Sequence, residues 1–549
     1  MSHTSHTSHT SLTLNLDALA HPGRRQPVFA PHGVVATSQP LASQAGLAIL
    51  RQGGNAVDAA LAAAITLTVV EPSSNSIGGD ALALVWDGER LHGLNGTGRA
   101  PAALTPEALR RQGHEAMPLH HWACVTVPGA PAAWRDLHQR FGRLPFATLF
   151  TAAIEYAERG YPIPAISQRV WSRALEQVHA TLSGDEFAGL LAVFAPEGRP
   201  PRVGEVWRNP EAARTLRLIA ETQAEAFYRG EIAERIVDFA ARTGGFLTAD
   251  DLARHTSDWV EPITTSYRGY DVWEMPPSTQ GLAALLALNI LEGYELSAFS
   301  RDSVESFHRQ LEAMKLAFAD VHHFVADPAY ATVPVKELLS KSYAARRRAL
   351  IGEDALLAEV GDPRGSDTTY LCAADSDGMM VSFIQSTYHG FGAHIVAPGT
   401  GFPLQNRGNG FSLAEGHANC LAPGKRPFHT LIPGFLTYAG QAIGPFGVMG
   451  GHMQPQGHVQ MMVNTLDYAM DPQSSLETPR WSWQRDRIIK LEPGAAALAA
   501  ELAARGHVVE IDEDVGWAGR GQIIWRLSDE TGGYVAGSEP RADGQAAGY

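Results

Sequence analysis

Gly365-Ser366-Asp367-Thr368-Thr369-Tyr370-Leu371-Cys372-Ala373-Ala374-Asp375-Ser376-Asp377-Gly378 sets a threonine pair between polar turn residues and an apolar run. Gly361 to Asp367 is turn-rich and polar, which places it on a surface loop. Tyr370 to Ala374 is apolar, Asp375 to Gly378 is a turn, and an apolar run resumes from Met379 to Ile384. That order spells a β-hairpin with Thr368 at the first residue of its first strand. A threonine whose amide nitrogen became a free amine would carry a nucleophile and its own base in one residue. The α-amino group titrates near about pH 8, close to what a general base needs, and an N-terminal threonine is an established nucleophile arrangement. The dipeptide alone equally suits an ordinary strand, because threonine is β-branched. The rest of the chain decides between the two.

With 549 residues, 45% hydrophobic and only 18% charged, the chain can build a large core, as one big α/β unit or two closely packed ones. A formal net charge of −15 argues against a nucleic-acid partner, because phosphate binding needs a basic face. Cys124, Cys372 and Cys420 are too few for a disulfide framework and have no metal-ligand spacing. Ser2 to Ser11 repeats Ser-His-Thr and is expected to be disordered. No apolar h-region follows Arg24-Arg25, and the longest apolar run, Ala59 to Val70, is too short for a bilayer. The expectation is a soluble, cytoplasmic protein without a membrane partner.

Residues 1–30 read as a disordered N-terminal extension. Gly33 to Ser38 is a short strand, Leu41 to Arg51 has helical periodicity, and Gly53-Gly54 stops that helix. Asn55, with Asp58 three residues on, caps an alanine-rich helix that should be buried and should end before Glu71-Pro72. Ile77-Gly78-Gly79-Asp80 then leads into a strand from Ala81 to Trp86. Residues 130–255 read as mainly helical with a break at Gly244-Gly245. Tyr267 to Met275 reads as one strand, Pro276 to Gly281 as a loop entering an apolar helix, and Asp302 to His322 as an amphipathic helix. Leu339 to Asp362 is charged and expected to be mobile; beyond Thr368 the chain is strand-rich, with one amphipathic helix near Gln456 to Tyr468. A two-layer sheet core flanked by helices fits this order.

Several segments carry a family resemblance: Gly53-Gly54-Asn55-Ala56-Val57-Asp58-Ala59-Ala60, Ile77-Gly78-Gly79, Val127-Pro128-Gly129 and Phe227-Tyr228-Arg229-Gly230. Further on come Gly244-Gly245-Phe246-Leu247-Thr248, Met275-Pro276-Pro277-Ser278, Asp327-Pro328, Thr368-Thr369, Pro398-Gly399-Thr400-Gly401 and Lys425-Arg426-Pro427. Together, from about Pro31 onward, they resemble the γ-glutamyltransferase family of N-terminal nucleophile hydrolases. The resemblance implies an α+β fold, a four-layer αββα sandwich, made as a precursor that cuts itself before the nucleophilic threonine. Here the cut would fall between Asp367 and Thr368, giving a large fragment, 31–367 after the extension, and a small one, 368–549, that stay associated. It further implies backbone amides at Gly450-Gly451 as the oxyanion donors and Ser386 as a second hydroxyl beside Thr368. Without the resemblance, Gly450-Gly451 is equally a tight turn and Ser386 a strand serine facing solvent.

The chain departs from the family pattern where the γ-glutamyl group is held. The family's Arg-Glu-x-Ala-Pro segment stands here as Thr97-Gly98-Arg99-Ala100-Pro101, with Arg99 two residues beyond the expected arginine. Two residues along a strand is the same face, so Arg99 is either a pocket residue or a surface charge. Asn-Asn-Gln-Met-Asp-Asp-Phe becomes Gln405-Asn406-Arg407-Gly408-Asn409-Gly410-Phe411, which replaces the aspartate for a substrate ammonium by Gly410. A Ser-Ser pair becomes His429-Thr430, and an asparagine becomes Tyr388. These changes remove an anion and add the cation Arg407, whose planar guanidinium suits a carboxylate. Ser386-Thr387-Tyr388-His389-Gly390-Phe391-Gly392 and Arg426-Pro427-Phe428-His429-Thr430 look like the oxamate amidohydrolase branch. The small-molecule substrate expected first is a carboxylate-bearing amide such as oxamate; γ-glutamyl hydrolysis or transfer and glutaryl-type acylase activity remain alternatives.

The rival enzyme class is a metallohydrolase, since the chain has 22 histidines. It lacks a His-Glu-x-x-His, and Pro455 interrupts helical spacing between His452 and His458. His429 is kept as a pocket donor, and no cofactor or metal is expected. A ligand-binding relic without turnover is the non-enzyme alternative, opposed by the joint presence of Thr368, Ser386 and Gly450-Gly451. The apolar alanine-rich helices leave room for a dimer of processed protomers.

Overall fold

The hairpin around Asp375–Gly378 lies in the middle of a seven-stranded sheet in a computed structural model that describes residues 25–357, 367–528 and 530–549. Its strands run Asp367–Ala374 and Met380–Tyr388, in antiparallel register from Tyr370 opposite Ile384 to Ala374 opposite Met380. Val34–Thr37 flanks the first strand and Asp80–Trp86 the second. Gln545–Gly548 closes one edge; Leu91–Gly96 and Asp258–Val260 close the other. A second seven-stranded sheet runs in the order Val28–Ala30, Tyr534–Ser538, Arg520–Arg526, Gln441–Met449, Gly434–Tyr438, Tyr270–Glu274, Ile263–Tyr267.

Strand alternation sorts the side chains into layers. Tyr370, Cys372 and Ala374 point toward Leu431, Phe435, Met449 and Ile524, making the core between the sheets. Leu371 and Ala373 point the other way, against the helix Ala56–Val70. On the second sheet, Leu436, Val448, Ile523 and Trp525 turn outward to the helices Gly281–Leu291, Val304–Phe324 and Met453–Leu466. The result is helix, sheet, sheet, helix, the α+β sandwich expected. Each fully buried Leu, Ile or Phe in these layers is worth about 1.5–3 kcal/mol of transfer free energy.

The Asn55–Asp58 capping box forms as expected, and every residue of Ala56–Val70 is buried. Other expectations need correction. Tyr267 to Met275 is two strands rather than one, because Arg268 (φ 53°) and Gly269 (φ 84°) form a two-residue hairpin turn. The helix near Gln456 is Met453–Leu466, and it is buried from Met453 to Thr465 rather than amphipathic, since sheet and helices pack all round it. Within Leu339 to Asp362, Lys341–Arg348 is a helix. The N-terminal boundary moves as well: Val28–Ala30 forms an edge strand on Tyr534–Ser538. The Ser-His-Thr repeat lies outside the described residues, as do 358–362 of the segment expected to be mobile. Among the described residues no helix is long and apolar enough to cross a membrane.

Strands from before and after Thr368 are mixed in both sheets. Val34–Thr37 sits between Gln545–Gly548 and Asp367–Ala374, and the second sheet begins and ends on strands that precede Thr368 in the chain.

Candidate active site

Thr368 is fully buried on the first hairpin strand. Register shifts between Asp367, opposite Tyr388, and Thr369, opposite Gln385, so Ser386 and Thr387 together face Thr368. Such a bulge re-aims side chains, and bulges are common beside active sites. Here Thr368 Oγ1 donates to Ser386 Oγ at 3.2 Å. Ser386 Oγ also accepts from Tyr388 N at 2.7 Å and from Arg407 Nη2 at 3.3 Å.

Arg407 is completely buried, with Nη1 donating to Thr430 Oγ1 at 2.7 Å and the guanidinium 4.2 Å from the Tyr388 ring centroid. Its Nε has no partner, and no carboxylate forms an ion pair with it among the described residues. Burial holds its pKa down to about 10, against the opposing pull of Tyr388 and Asp80, so it stays cationic at neutral pH. A buried cation without an anion is costly. The pull of Asp80 reaches Arg407 through space, without an ion pair.

Gly450 and Gly451 follow the strand Gln441–Met449 with φ of 122° and 59°, a backbone that L side chains rarely adopt. Their carbonyls accept from Met453 N and Gln454 N as the next helix begins, while no acceptor meets either glycine N–H among the described residues. Gln280 Nε2 bridges Thr430 O at 2.7 Å and Gly451 O at 2.8 Å. One hydrogen-bonded chain therefore runs from Thr368 through Ser386, Arg407, Thr430 and Gln280 to Gly451. The sequence reading missed Gln280; its signal was a glutamine closing the loop into an apolar helix.

Asp80 was missed as well, although a charged residue opening the apolar strand Asp80–Trp86 marks it. It is fully buried and accepts from Gly98 N (3.0 Å), Gly129 N (3.1 Å) and Gln405 Nε2 (2.8 Å). His429 Nε2 completes its shell at 3.2 Å, and His429 Nδ1 accepts from Leu431 N, also at 3.2 Å. Burial, aided by Arg407, lowers the His429 pKa to about 4, so the ring is neutral with its proton on the nitrogen facing Asp80. Both nitrogens are thus spent inside the protein; His429 braces the strand opening rather than offering a free donor.

Arg99 takes the surface alternative. Its side chain is 36% exposed and pairs with Asp258 (3.3 Å) and Asp327 (3.8 Å), beside Arg426 on the same Asp258. Among the described residues, local aspartates capture it away from Ser386 and Arg407. Gly410 lies on a cleft of about 1020 Å³ beside Tyr388, and a Cβ there would stand 2.8 Å from Phe428 O. An aspartate for an ammonium could not be restored without moving the backbone.

Among the described residues one His/Glu cluster fits metal spacing, His308, Glu312 and His507, but Lys315 Nζ already occupies Glu312 Oε1 at 2.7 Å.

A buried threonine at a strand start, a bulge aiming a serine at it, and stacked sheets between helix layers define an N-terminal nucleophile hydrolase. The gamma-glutamyltranspeptidase profile matches residues 42–549, and the chain belongs to that family. It is 38% identical to the glutathione hydrolase-like YwrD proenzyme of Bacillus subtilis, covering 96% of this chain and 99% of the relative. It is 36% identical to the oxamate amidohydrolase proenzyme of Klebsiella pneumoniae, covering 94% and 98%. Its fold is similar to a crystal structure of cephalosporin acylase from Bacillus halodurans, at TM-score 0.93 and 52% identity over 97% and 98% of the two chains.

Proposed function

We propose that this protein is a self-processing amidohydrolase that uses Thr368 to cleave amides whose acyl group ends in a carboxylate. The carrying observation is Arg407, a sealed guanidinium without a carboxylate, bonded to the same serine oxygen as the Thr368 hydroxyl. In processing, Thr368 Oγ adds to the Asp367 carbonyl, the peptide C–N bond breaks, and an ester and a free α-amine result. Water opens the ester to give the Asp367 carboxylate and the Thr368 hydroxyl.

In turnover the same oxygen adds to the substrate amide and passes its proton to the α-amine. That proton goes to the leaving nitrogen as the C–N bond breaks, and water then releases the acid and regenerates threonine. The N–H groups of Gly450 and Gly451 would hold the tetrahedral oxyanion, a role in which one donor is worth about 2.7–4 kcal/mol. Arg407 would hold the distal carboxylate.

Oxamate, whose carboxylate adjoins the scissile carbonyl, is the shortest acyl group of this kind, and the adjacency of Arg407 and Thr368 supports it. A glutaryl-type acyl group is the second reading, favoured by the roomy cleft beside Tyr388. The test begins with denatured intact mass: wild type should give two species parted between Asp367 and Thr368, and Thr368→Ala one. Ammonia release from oxamate and from glutaramate, against cleavage of γ-glutamyl 4-nitroanilide, then ranks the acyl groups. An uncut wild type, or a preference for the γ-glutamyl compound, sinks the proposal.

A further inference from the structure

Gln280 is fully buried where the carboxylate holder meets the glycine turn. Its Nε2 carries two hydrogens and donates to two carbonyls, Thr430 O at 2.7 Å and Gly451 O at 2.8 Å. Turning the amide over would set Oε1 against both carbonyl oxygens, so the network fixes its orientation. That orientation leaves Oε1 buried with no donor among the described residues. An unmet buried acceptor is destabilising, so stability alone gives no reason for a glutamine here. The backbone holds the residue still: Gln280 N donates to His429 O at 3.0 Å, and His429 N donates to Ser278 O, also at 3.0 Å.

Each of the two carbonyls belongs to a residue with a task in the proposed reaction. Thr430 Oγ1 accepts from Arg407 Nη1 at 2.7 Å, so a shift of Thr430 is a shift of the guanidinium's partner. Gly451 O also accepts from Gln454 N at 3.1 Å. The turn it belongs to is backed by Gly519, whose Cα lies 3.1 Å from where a Gly450 Cβ would stand. The Gly450-Gly451 turn thus has Gly519 as a wall and Gln280 as a tie, and the same tie reaches Arg407 through one residue.

We propose that Gln280 is a positioning residue that yokes the carboxylate holder to the oxyanion donors, so that a carboxylate on the acyl group speeds the chemical step as well as tightening binding. This role rests on the amidohydrolase reading and adds to it a selection of carboxylate-ended acyl groups in kcat. A carboxylate seated on Arg407 settles the guanidinium, and with it Thr430, in one position. Gln280 passes that position on to Gly451. Donors aimed at a developing oxyanion lose much of their effect when displaced by a fraction of an ångström.

The test uses two anilides with one leaving group, glutaryl 4-nitroanilide and pentanoyl 4-nitroanilide, in which a methyl replaces the carboxylate. Wild type, Gln280→Met, Arg407→Lys and the double variant are compared, each checked for native circular dichroism. Gln280→Met keeps the side chain's length and loses both donors. It should lower kcat for the glutaryl compound roughly tenfold, with KM changed less than about threefold, and shrink the kcat advantage of glutaryl over pentanoyl. The double variant should lose little more kcat than the worse single variant, because coupled residues are not additive. Losses that multiply in the double variant, or a Gln280→Met change confined to KM or to stability, overturn the yoke. Hydrogen exchange read by mass spectrometry needs no turnover: glutarate should slow exchange in the peptide around Gly450 and Gly451 in wild type and not in Gln280→Met. If Gln280→Met stays uncut, the same comparison is made with Thr368→Ala added to both chains. Absent protection, or protection indifferent to Gln280, overturns the yoke. If neither anilide is cleaved yet glutarate protects the turn only when Gln280 is present, the activity reading falls and the yoke stands.

Discussion

A guanidinium sealed from water is held at Arg407 by two hydroxyls and the face of Tyr388, with no carboxylate in direct ion pair among the described residues. Arg407→Lys keeps the charge but loses the fork that grips both oxygens of a carboxylate. A charge-assisted hydrogen bond is worth about 1.5–3 kcal/mol, so kcat/KM for carboxylate-bearing amides should fall roughly 10–150-fold. Activity on an amide lacking the carboxylate should change little; an equal loss on both would move Arg407 from substrate holder to scaffold. The charge change at this position was legible in the sequence, because Gly410 stands where the family has an aspartate for an ammonium and Arg407 adds a cation beside it. The direction of Arg99 was not, since Asp258 is remote in sequence and only folding brings it alongside.

Elements were legible where period and punctuation agree. The capping box at Asn55 and the hairpin turn at Asp375–Gly378 declare their ends, so the helix and the two central strands fell where expected. Tertiary surroundings hid the rest: the wholly buried Met453–Leu466 helix carries glutamines and a histidine that suggest an exposed face. Those groups bond to the strand Trp481–Arg485 and to Glu274 instead. The strand opening at Asp80 invites a direct test. Asp80→Asn retains an oxygen for Gly98 and Gly129 but can point an N–H at the His429 proton. Leaving one buried donor unmet costs about 1–3 kcal/mol, so the denaturant midpoint should fall by that free energy while the m-value holds. A variant as stable as wild type would show that His429 changes tautomer at no cost.

For the molecule as a whole, buried imidazoles tie stability to pH, His429 and His394 among them. Burial lowers His429 from its ordinary 6.5 to about 4 and His394 to about 3, the latter helped by His120, stacked at 3.8 Å. Below about pH 6.5 the unfolded chain takes up protons that the folded one refuses. Their contribution is therefore complete above that pH and is lost progressively as pH falls toward about 4 and then about 3. Thermal midpoints should drop between pH 7.5 and 4.5, and His394→Asn, tolerant of the positive φ there, should shrink the drop. A variant with an undiminished drop would clear His394 of the effect.

The mixing of early and late strands within both sheets has a kinetic consequence. While the chain is whole, refolding is a first-order event. If it is cut between Asp367 and Thr368 as proposed, neither piece owns a complete sheet, and recovery becomes an encounter between two molecules. The unprocessed Thr368→Ala chain should regain its native signal at a rate independent of dilution. The processed enzyme should recover more slowly the more dilute it is, so that the proposed cut, in freeing the amine of Thr368, would also spend the protein's one unimolecular chance to fold.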